Sequence, residues 1–305
     1  MRIIFASRKS SLARRQTEWV MAAIRAGHPG LKTGVLALST RGDELLDRSL
    51  AVLGGKGLFI KTLEEALADG RARLAVNSLK DMPTQLEPGF RLAAVPVRAD
   101  PRDSLVSHYP GGLLGLPAGA RIGSASLRRR AQVLALRPDC RVDVLRGGVG
   151  TRLERFDAGE FDAILLAAAG LERLGIARGE PIDPDQLLPA PGQGALALEA
   201  RADDAEVLAL AATIEDPLTR DAIRAERSCC RVLGAGCTSP VAAYATVTAG
   251  RIRLRALVAR EDGRRVIRAE RYGGRAMGAE LGAAVAGELL ERGAAELLNL
   301  HAGTA

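Results

Sequence analysis

Apolar and polar residues follow two different periods along the chain. Short apolar runs at residues 3–6, 35–38, 74–76 and 92–95 have strand length, and the stretches between them carry helical spacing. Ser10 or Ser11 can cap a helix running through Leu12, Trp19, Val20 and Ile24 to a stop near Gly27-His28-Pro29-Gly30. A glycine loop at 54–57 precedes a second helix over 58–68. Strands alternating with helices predict α/β layers with a mostly parallel sheet. The chain leaves this unit around Asp100-Pro101-Arg102-Asp103, and a second set of elements follows. It has strands at 121–123, 142–145 and 161–167, a helix from the Ser126 cap to Leu136, and a helix over 149–156. Leu187-Leu188-Pro189-Ala190-Pro191-Gly192 marks a return crossing, and a strand at 195–198 rejoins the first unit. After Asp216-Pro217 come a helix to Val232, strands near 241–247, 252–259 and 265–272, and an Ala-rich helix over 277–290, a small α+β pattern. The fold predicted is α/β in three domains: 1–98 with 194–214, 99–193 joined to it by a double crossover, and 215–305. Ser7-Arg8-Lys9-Ser10-Ser11-Leu12 and Gly123-Ser124-Ala125-Ser126-Leu127-Arg128 echo one another as strand, Ser-rich turn and helix start.

Length and composition narrow the class. A chain of 305 residues, 47% hydrophobic and 26% charged, fits two or three globular domains and excludes a disordered chain, a coiled coil or a collagen. No apolar run reaches 18 residues, so no transmembrane helix is expected. Charges at Arg2, Arg8 and Lys9 fall where a signal peptide needs its apolar core, so a cytoplasmic location is expected. The cysteines at 140, 229, 230 and 237 show no C-x-x-C spacing, and the three histidines are far apart, so no metal site is expected.

Charge brings in chemistry. The net charge is +7, and residues 121–155 hold nine Arg against three acids. All five lysines lie before residue 81, so they persist in a chain that otherwise uses Arg. Arg8, Lys9, Lys56, Arg128, Arg129, Arg130, Arg146 and Arg152 fall at strand ends or helix starts, where open α/β sheets bind ligands and Arg can grip carboxylate or phosphate in bidentate fashion. Nucleotide motifs fail: position 50 is Leu where a P-loop ending at Lys56 needs Gly, and Gly192-Gln193-Gly194 follows Pro-Ala-Pro rather than a strand. Ser78-Leu79-Lys80-Asp81-Met82-Pro83 sets an acid and a base at a strand's end; Asp81 fits a general acid/base or cation stabiliser, and equally a turn residue. Cys237 sits in a Gly-rich loop, open to a nucleophilic role, whereas Cys229 and Cys230 belong to a helix and a buried apolar role.

Several ordered motifs resemble the porphobilinogen deaminase (hydroxymethylbilane synthase) family almost end to end. They include Ala6-Ser7-Arg8-Lys9-Ser10-Ser11-Leu12-Ala13, Thr40-Arg41-Gly42-Asp43, and Gly54-Gly55-Lys56-Gly57-Leu58-Phe59 with Lys61 and Glu64. Ser78-Leu79-Lys80-Asp81-Met82-Pro83, Asp100-Pro101-Arg102-Asp103, Ser126-Leu127-Arg128-Arg129, Leu145-Arg146-Gly147 and Thr151-Arg152-Leu153 follow. Leu166 to Gly175, Pro191-Gly192-Gln193-Gly194-Ala195 and the Cys237 loop complete the set. The resemblance implies three α/β domains, the first two similar to periplasmic binding proteins. It implies a transferase that joins four porphobilinogen molecules into hydroxymethylbilane with release of ammonia, in tetrapyrrole biosynthesis. It implies one dipyrromethane cofactor per chain, held by Cys237 as a thioether, with Asp81 as catalytic carboxylate and Lys80 as the cation beside it. Lys56, Ser78, Asp81, Ser126, Arg128, Arg129 and Arg152 would then hold the cofactor, and Arg8, Ser10, Gln16, Arg102, Arg146 and Gln193 the substrate's carboxylates. Porphobilinogen is the expected small-molecule partner; no nucleic acid or membrane is expected, and nothing demands more than a monomer.

The chain departs from the family's usual residues in four places. Asn77 stands where His is frequent, Gly148 where Asn is, Val52 where Lys is, and the cofactor loop reads Gly-Ala-Gly-Cys. Loop 41–55 reads as a lid. Two other functions fit parts of the pattern. A non-catalytic two-lobed carboxylate-binding protein explains the arginines but needs neither Asp81 nor a loop Cys. A nucleic-acid binder fits a pI near 9.7, but only 3% of residues are aromatic.

Overall fold

The structure, a computed structural model, describes residues 2–39, 60–236 and 238–298. The chain divides into two compact units: Met1–Ala99 with Arg173–Gly175 and Gly194–Arg220, and Asp100–Glu172 with Ile176–Gln193 and Asp221–Ala305. In the first, β1 (Arg2–Arg8) leads through the Ser10 cap into α1 (Ser11–Gly27), followed by β2 (Lys32–Leu38), α2 (Lys61–Ala68), β3 (Leu74–Ser78) and β4 (Phe90–Ala94). In the second come β5 (Asp103–Ser107), β6 (Arg121–Gly123), α3 (Leu127–Leu136), β7 (Arg141–Asp143), α4 (Val149–Asp157), β8 (Ala163–Ala167), α5 (Ala168–Arg173) and β9 (Glu180–Pro181). The chain then returns as β10 (Leu196–Arg201), α6 (Ala205–Ala212) and α7 (Pro217–Val232). A last group holds β11 (Val241–Thr248), β12 (Arg251–Ala259), β13 (Val266–Gly274), α8 (Gly278–Glu291) and α9 (Ala294–Leu297).

The first sheet has the order β2-β1-β3-β10-β4 and the second β7-β6-β8-β5-β9. Position by position these are the same plan, which makes the sequence echo around Ser10 and Ser126 a structural one. Both sheets are mixed rather than mostly parallel. β10 runs antiparallel to β3 and β4, and β5 runs antiparallel to β8 and β9. In each sheet the reversed strand is the one just after a crossover, so it enters from the opposite end. The sequence pattern missed β5 and α6, because Asp103-Ser104-Leu105-Val106-Ser107 carries only two apolar residues between polar ones.

The first sheet is covered on both faces. Ile3, Phe5, Leu74, Val76, Leu196 and Leu198 share one core with Val20 and Ile24 of α1, and Ala6 and Ala75 pack with Leu63, Ala66 and Leu67 of α2 on the other. Burial on both faces explains why these strands read as continuous apolar runs. The third sheet is the antiparallel meander β11-β12-β13, whose apolar face packs with Ala225 and Cys229 of α7 and Val285, Ala286 and Leu289 of α8. Gly282 of α8 permits that packing: a Cβ there would stand 2.7 Å from Ser228 Cβ and strike the Ala225 carbonyl. Glu226, buried in α7, accepts from Gly192 N at 2.7 Å and Ala245 N at 2.8 Å, fixing the Pro-Gly-Gln crossover loop to β11.

Candidate active site

One pocket lies at the C-terminal end of β1 and β3. Arg8 ends β1, and the turn after it closes with Lys9 N donating to Leu38 O at 3.1 Å. Ser10 caps α1, its side chain accepting from Ala13 N at 3.3 Å, so the first turn of the helix faces the pocket with backbone donors. Gln16 is buried one turn further and exchanges hydrogen bonds with Ser78, its Nε2 donating to Ser78 Oγ at 2.9 Å. Beneath them Thr17 donates to Ser7 Oγ at 2.9 Å. β3 ends at Ser78 and passes into a single 3₁₀ turn, Leu79–Asp81, held by Leu79 N to Ala195 O at 3.0 Å and Met82 N to Leu79 O at 3.1 Å. Pro83 lies just past this turn, which delivers Asp81 to the pocket with Lys80 half-buried beside it. The pocket is an open cleft, about 420 Å³ when the solvent space at its mouth is counted. Arg8, Ser10, Gln16, Asn77, Ser78 and Asp81 supply its polar lining, and Leu12, Ala13, Ile60 and Val76 its apolar floor.

A second polar cluster is built into the other unit, around Asp103. This carboxylate is fully buried at the start of β5. It accepts from Arg128 Nη1 at 2.7 Å and Nη2 at 3.1 Å, from Arg129 Nε at 2.9 Å and from Gln193 Nε2 at 2.9 Å, and Arg129 Nη2 stands in ion-pair contact at 2.7 Å. Burial pushes its carboxyl up, but the two guanidiniums outweigh that and hold it far below the usual carboxylate range. Arg128 also donates to Leu188 O at 2.7 Å and Arg129 to Leu165 O at 2.8 Å. Arg128 Nε is buried without a hydrogen-bond partner among the described residues. Ser126 caps α3, its side chain accepting from Arg129 N at 3.4 Å. Gln193 Nε2 also donates to Pro101 O at 2.8 Å, so it ties the return crossing to the outward one. Gly192 and Gly194 on either side of it take φ of 73° and 85°, so this G-x-G meets a backbone requirement.

The structure thus brings Arg8, Ser10, Gln16, Ser78 and Asp81 to one pocket, and Ser126, Arg128, Arg129 and Gln193 to one cluster. The bidentate carboxylate partner that the sequence reading sought in a ligand for Arg128 and Arg129 is, among the described residues, Asp103 of the chain itself. Arg102 is occupied by Asp100, with Nη2 to Oδ2 at 2.7 Å. Arg152 donates through Nε to Gly147 O at 2.8 Å, and Arg146 lies half-buried in the loop before α4. Lys56, Cys237 and loop 41–55 lie outside the described residues. Much of the basic excess at 121–155 is also paired: Arg121 with Asp143, Arg137 with Asp139 and Arg155 with Glu160. Sequence reasoning missed Asp103 as a buried counter-ion, because Asp100 and Asp103 flank the same Arg102 and spacing does not say which acid is buried. It also missed Glu64 and Glu199, two carboxylates buried on α2 and β10.

Residues 3–209 match the porphobilinogen deaminase dipyromethane cofactor binding domain, and residues 221–291 match the porphobilinogen deaminase C-terminal domain. The chain belongs to the porphobilinogen deaminase family. Porphobilinogen deaminase of Chromobacterium violaceum is 49% identical over 300 residues, covering 97% of this chain and 97% of that protein. That of Xylella fastidiosa is 50% identical over 295 residues, covering 96% and 97%. The Roseiflexus sp. protein is 48% identical over 298 residues, covering 97% and 98%. Among the described residues, no helix is long and apolar enough to cross a membrane, and no group of three or more His, Cys, Asp or Glu side chains is placed to hold a metal ion.

Proposed function

We propose that this chain condenses four porphobilinogen molecules head to tail into hydroxymethylbilane, releasing one ammonia per condensation. The observation that carries this reading is the pocket joining Asp81 to Arg8, Ser10, Gln16 and Ser78. Each porphobilinogen presents an acetate, a propionate, a pyrrole N–H and an aminomethyl group. Arg8 and the first turn of α1 suit the carboxylates. Asp81 suits the other end of the chemistry. Loss of ammonia leaves positive charge spread over the pyrrole, and a carboxylate at the pyrrole nitrogen stabilises that cation and can take and return its proton.

The donor set also fits a dipyrromethane, which is polyanionic and carries ring N–H groups: it needs several donors, one carboxylate and little else. In this proposal Cys237 holds it as a thioether, with Lys56, Ser78, Ser126, Arg128, Arg129 and Arg152 toward its carboxylates. When bound, that group supplies an anchored pyrrole to which substrate units add. Arg128 makes three side-chain hydrogen bonds among the described residues and Arg129 two with an ion-pair contact besides, leaving donors for a ligand while Asp103 neutralises one of the two charges. Lys80, Arg102, Arg146 and Gln193 complete the proposed site. We also propose a cytoplasmic monomer with no nucleic-acid partner, divided at 1–98 with 194–214, 99–193 and 215–305. The pairing of arginines with acids through 121–155 supports the absence of a nucleic-acid surface.

The test is the intact mass of the denatured protein beside a Cys237→Ser control. An excess of two porphobilinogen units less two ammonias, absent in the control, is expected. A chain that stays unmodified after incubation with porphobilinogen, and does not consume it, would leave the non-catalytic carboxylate-binding reading as the better account.

A further inference from the structure

Asn77 is the residue of the pocket that the reading above does not use. It is the penultimate residue of β3, one before Ser78 and four before Asp81, and it pairs with Ala197 of β10. It is 6% exposed and lines the pocket with Arg8, Ser10, Ser78 and Asp81. Its Nδ2 is buried and has no hydrogen-bond partner among the described residues. Asn is disfavoured inside strands, and its strand neighbours Leu74, Ala75 and Val76 are all apolar and buried. An idle buried amide donor forfeits its hydration without return, so its persistence here calls for a partner that arrives with the ligand. The terminal torsion of Asn is broad and two-fold, so the amide can turn Nδ2 toward the pocket without leaving its rotamer.

We propose that Asn77 is a further binding residue of this pocket, its Nδ2 donating a hydrogen bond to a carboxylate oxygen of the pyrrole held beside Asp81. The proposal rests on the porphobilinogen reading. Ligand chemistry selects the partner: the pyrrole N–H and the aminomethyl group are donors, and only the acetate and propionate accept. Asp81 and Asn77 therefore recognise opposite ends of one ring, an acceptor for its nitrogen and a neutral donor for its acid arm. A neutral amide adds this contact without adding a second cation beside Arg8.

The test compares Asn77→Ala, Asn77→Asp and Asn77→His with wild type, each checked by denatured mass for the adduct on Cys237 and by thermal midpoint for folding. Steady-state consumption of porphobilinogen gives KM and kcat separately. The porphobilinogen concentration that half-saturates the appearance of chain-extended enzyme masses is a second readout, independent of turnover. Loss of a hydrogen bond to a charged group predicts a rise of about tenfold to a hundredfold in KM and in that half-saturating concentration for Asn77→Ala. Asn77→Asp should lose more, because it sets an anion against the carboxylate, and Asn77→His, which keeps an N–H donor, should recover part. KM within about twofold of wild type in both Asn77→Ala and Asn77→Asp overturns the proposal, as does a fall in kcat at constant KM. A wild-type chain with neither adduct nor turnover defeats the porphobilinogen reading instead, and is told apart by the wild-type measurement alone.

Discussion

Asp103→Asn replaces a buried anion by a neutral group of the same shape, so any effect is electrostatic rather than a cavity. The carboxylate accepts three N–H bonds from Arg128 and Arg129, at 2.7–3.1 Å, and one from Gln193 at 2.9 Å, with Arg129 Nη2 in ion-pair contact at 2.7 Å. Asparagine keeps one acceptor oxygen and turns an amide donor toward guanidinium or Gln193 donors, leaving two buried cations without a counter-charge. Removing one partner of a buried ion pair costs about 3–5 kcal/mol. At about 2–4 °C per kcal/mol for a unit of 150–250 residues, the transition that melts β5 should fall by about 6–20 °C in a calorimetric scan. The pH dependence gives a second check with a definite sign. Asp103 titrates well below the ordinary carboxylate value of about 3.9. Its contribution is therefore full above that value and is lost as pH falls through the depressed native one. The gap between wild type and variant should be constant near neutrality and close on acidification. A loss under about 1 kcal/mol at neutral pH, or a gap that persists unchanged into strong acid, would refute the cluster as drawn.

Asp81→Asn should lower turnover by about 10²–10⁴-fold, the usual worth of a positioned acid–base group, at an unchanged melting temperature. Burial is the largest influence on the Glu64 carboxyl and pushes it up. The native state therefore holds the proton longer than the unfolded chain, and stability falls as pH rises from the ordinary carboxylate value through the native one. Urea midpoints of Glu64→Gln should lack that slope, and a slope equal to wild type would reject a Glu64 carboxyl raised by burial. Gly282→Ala should destabilise the C-terminal sheet by about 1–3 kcal/mol, since its Cβ meets the α7 backbone rather than a side chain that can move. Calorimetry with an unshifted C-terminal transition would contradict that packing.

Elements with a strong period were legible in the sequence. α7 spans 217–232 from the Asp216-Pro217 signal, and the Ser10 and Ser126 caps stand where the Ser-rich turns placed them. The three strands of the meander were readable because polar residues alternate along one face. Strand direction was not legible. β10 and β5 look like any buried strand, and only the side from which the chain arrives reverses them. Site residues divide the same way. Asp81 and Ser78 were visible as punctuation after an apolar strand. The state of an arginine was not, because charge at a helix start looks the same whether its partner is a ligand or a carboxylate brought from a remote strand.

Asp103 sharpens that distinction, because the two sheets share one plan. Asp103 opens β5 opposite Ala167 at the end of β8, and the matching place in the first sheet is Leu196, which opens β10 opposite Ser78 at the end of β3. Leu196 is apolar and buried, so no chain carboxylate occupies that place. The acid of the first sheet comes instead from the turn after the strand, as Asp81, half-buried and lining a pocket. In the second sheet the reversed strand delivers its acid inward and neutralises one of the two helix-start guanidinium charges before any ligand arrives. One topology therefore yields two electrostatic outcomes, decided by whether the carboxylate sits on the crossover strand or on the turn. A carboxylate anchored on a buried strand is locked by its cations and suits structure. One placed on a 3₁₀ turn at a pocket's edge can meet a developing cation, which is the role proposed for Asp81.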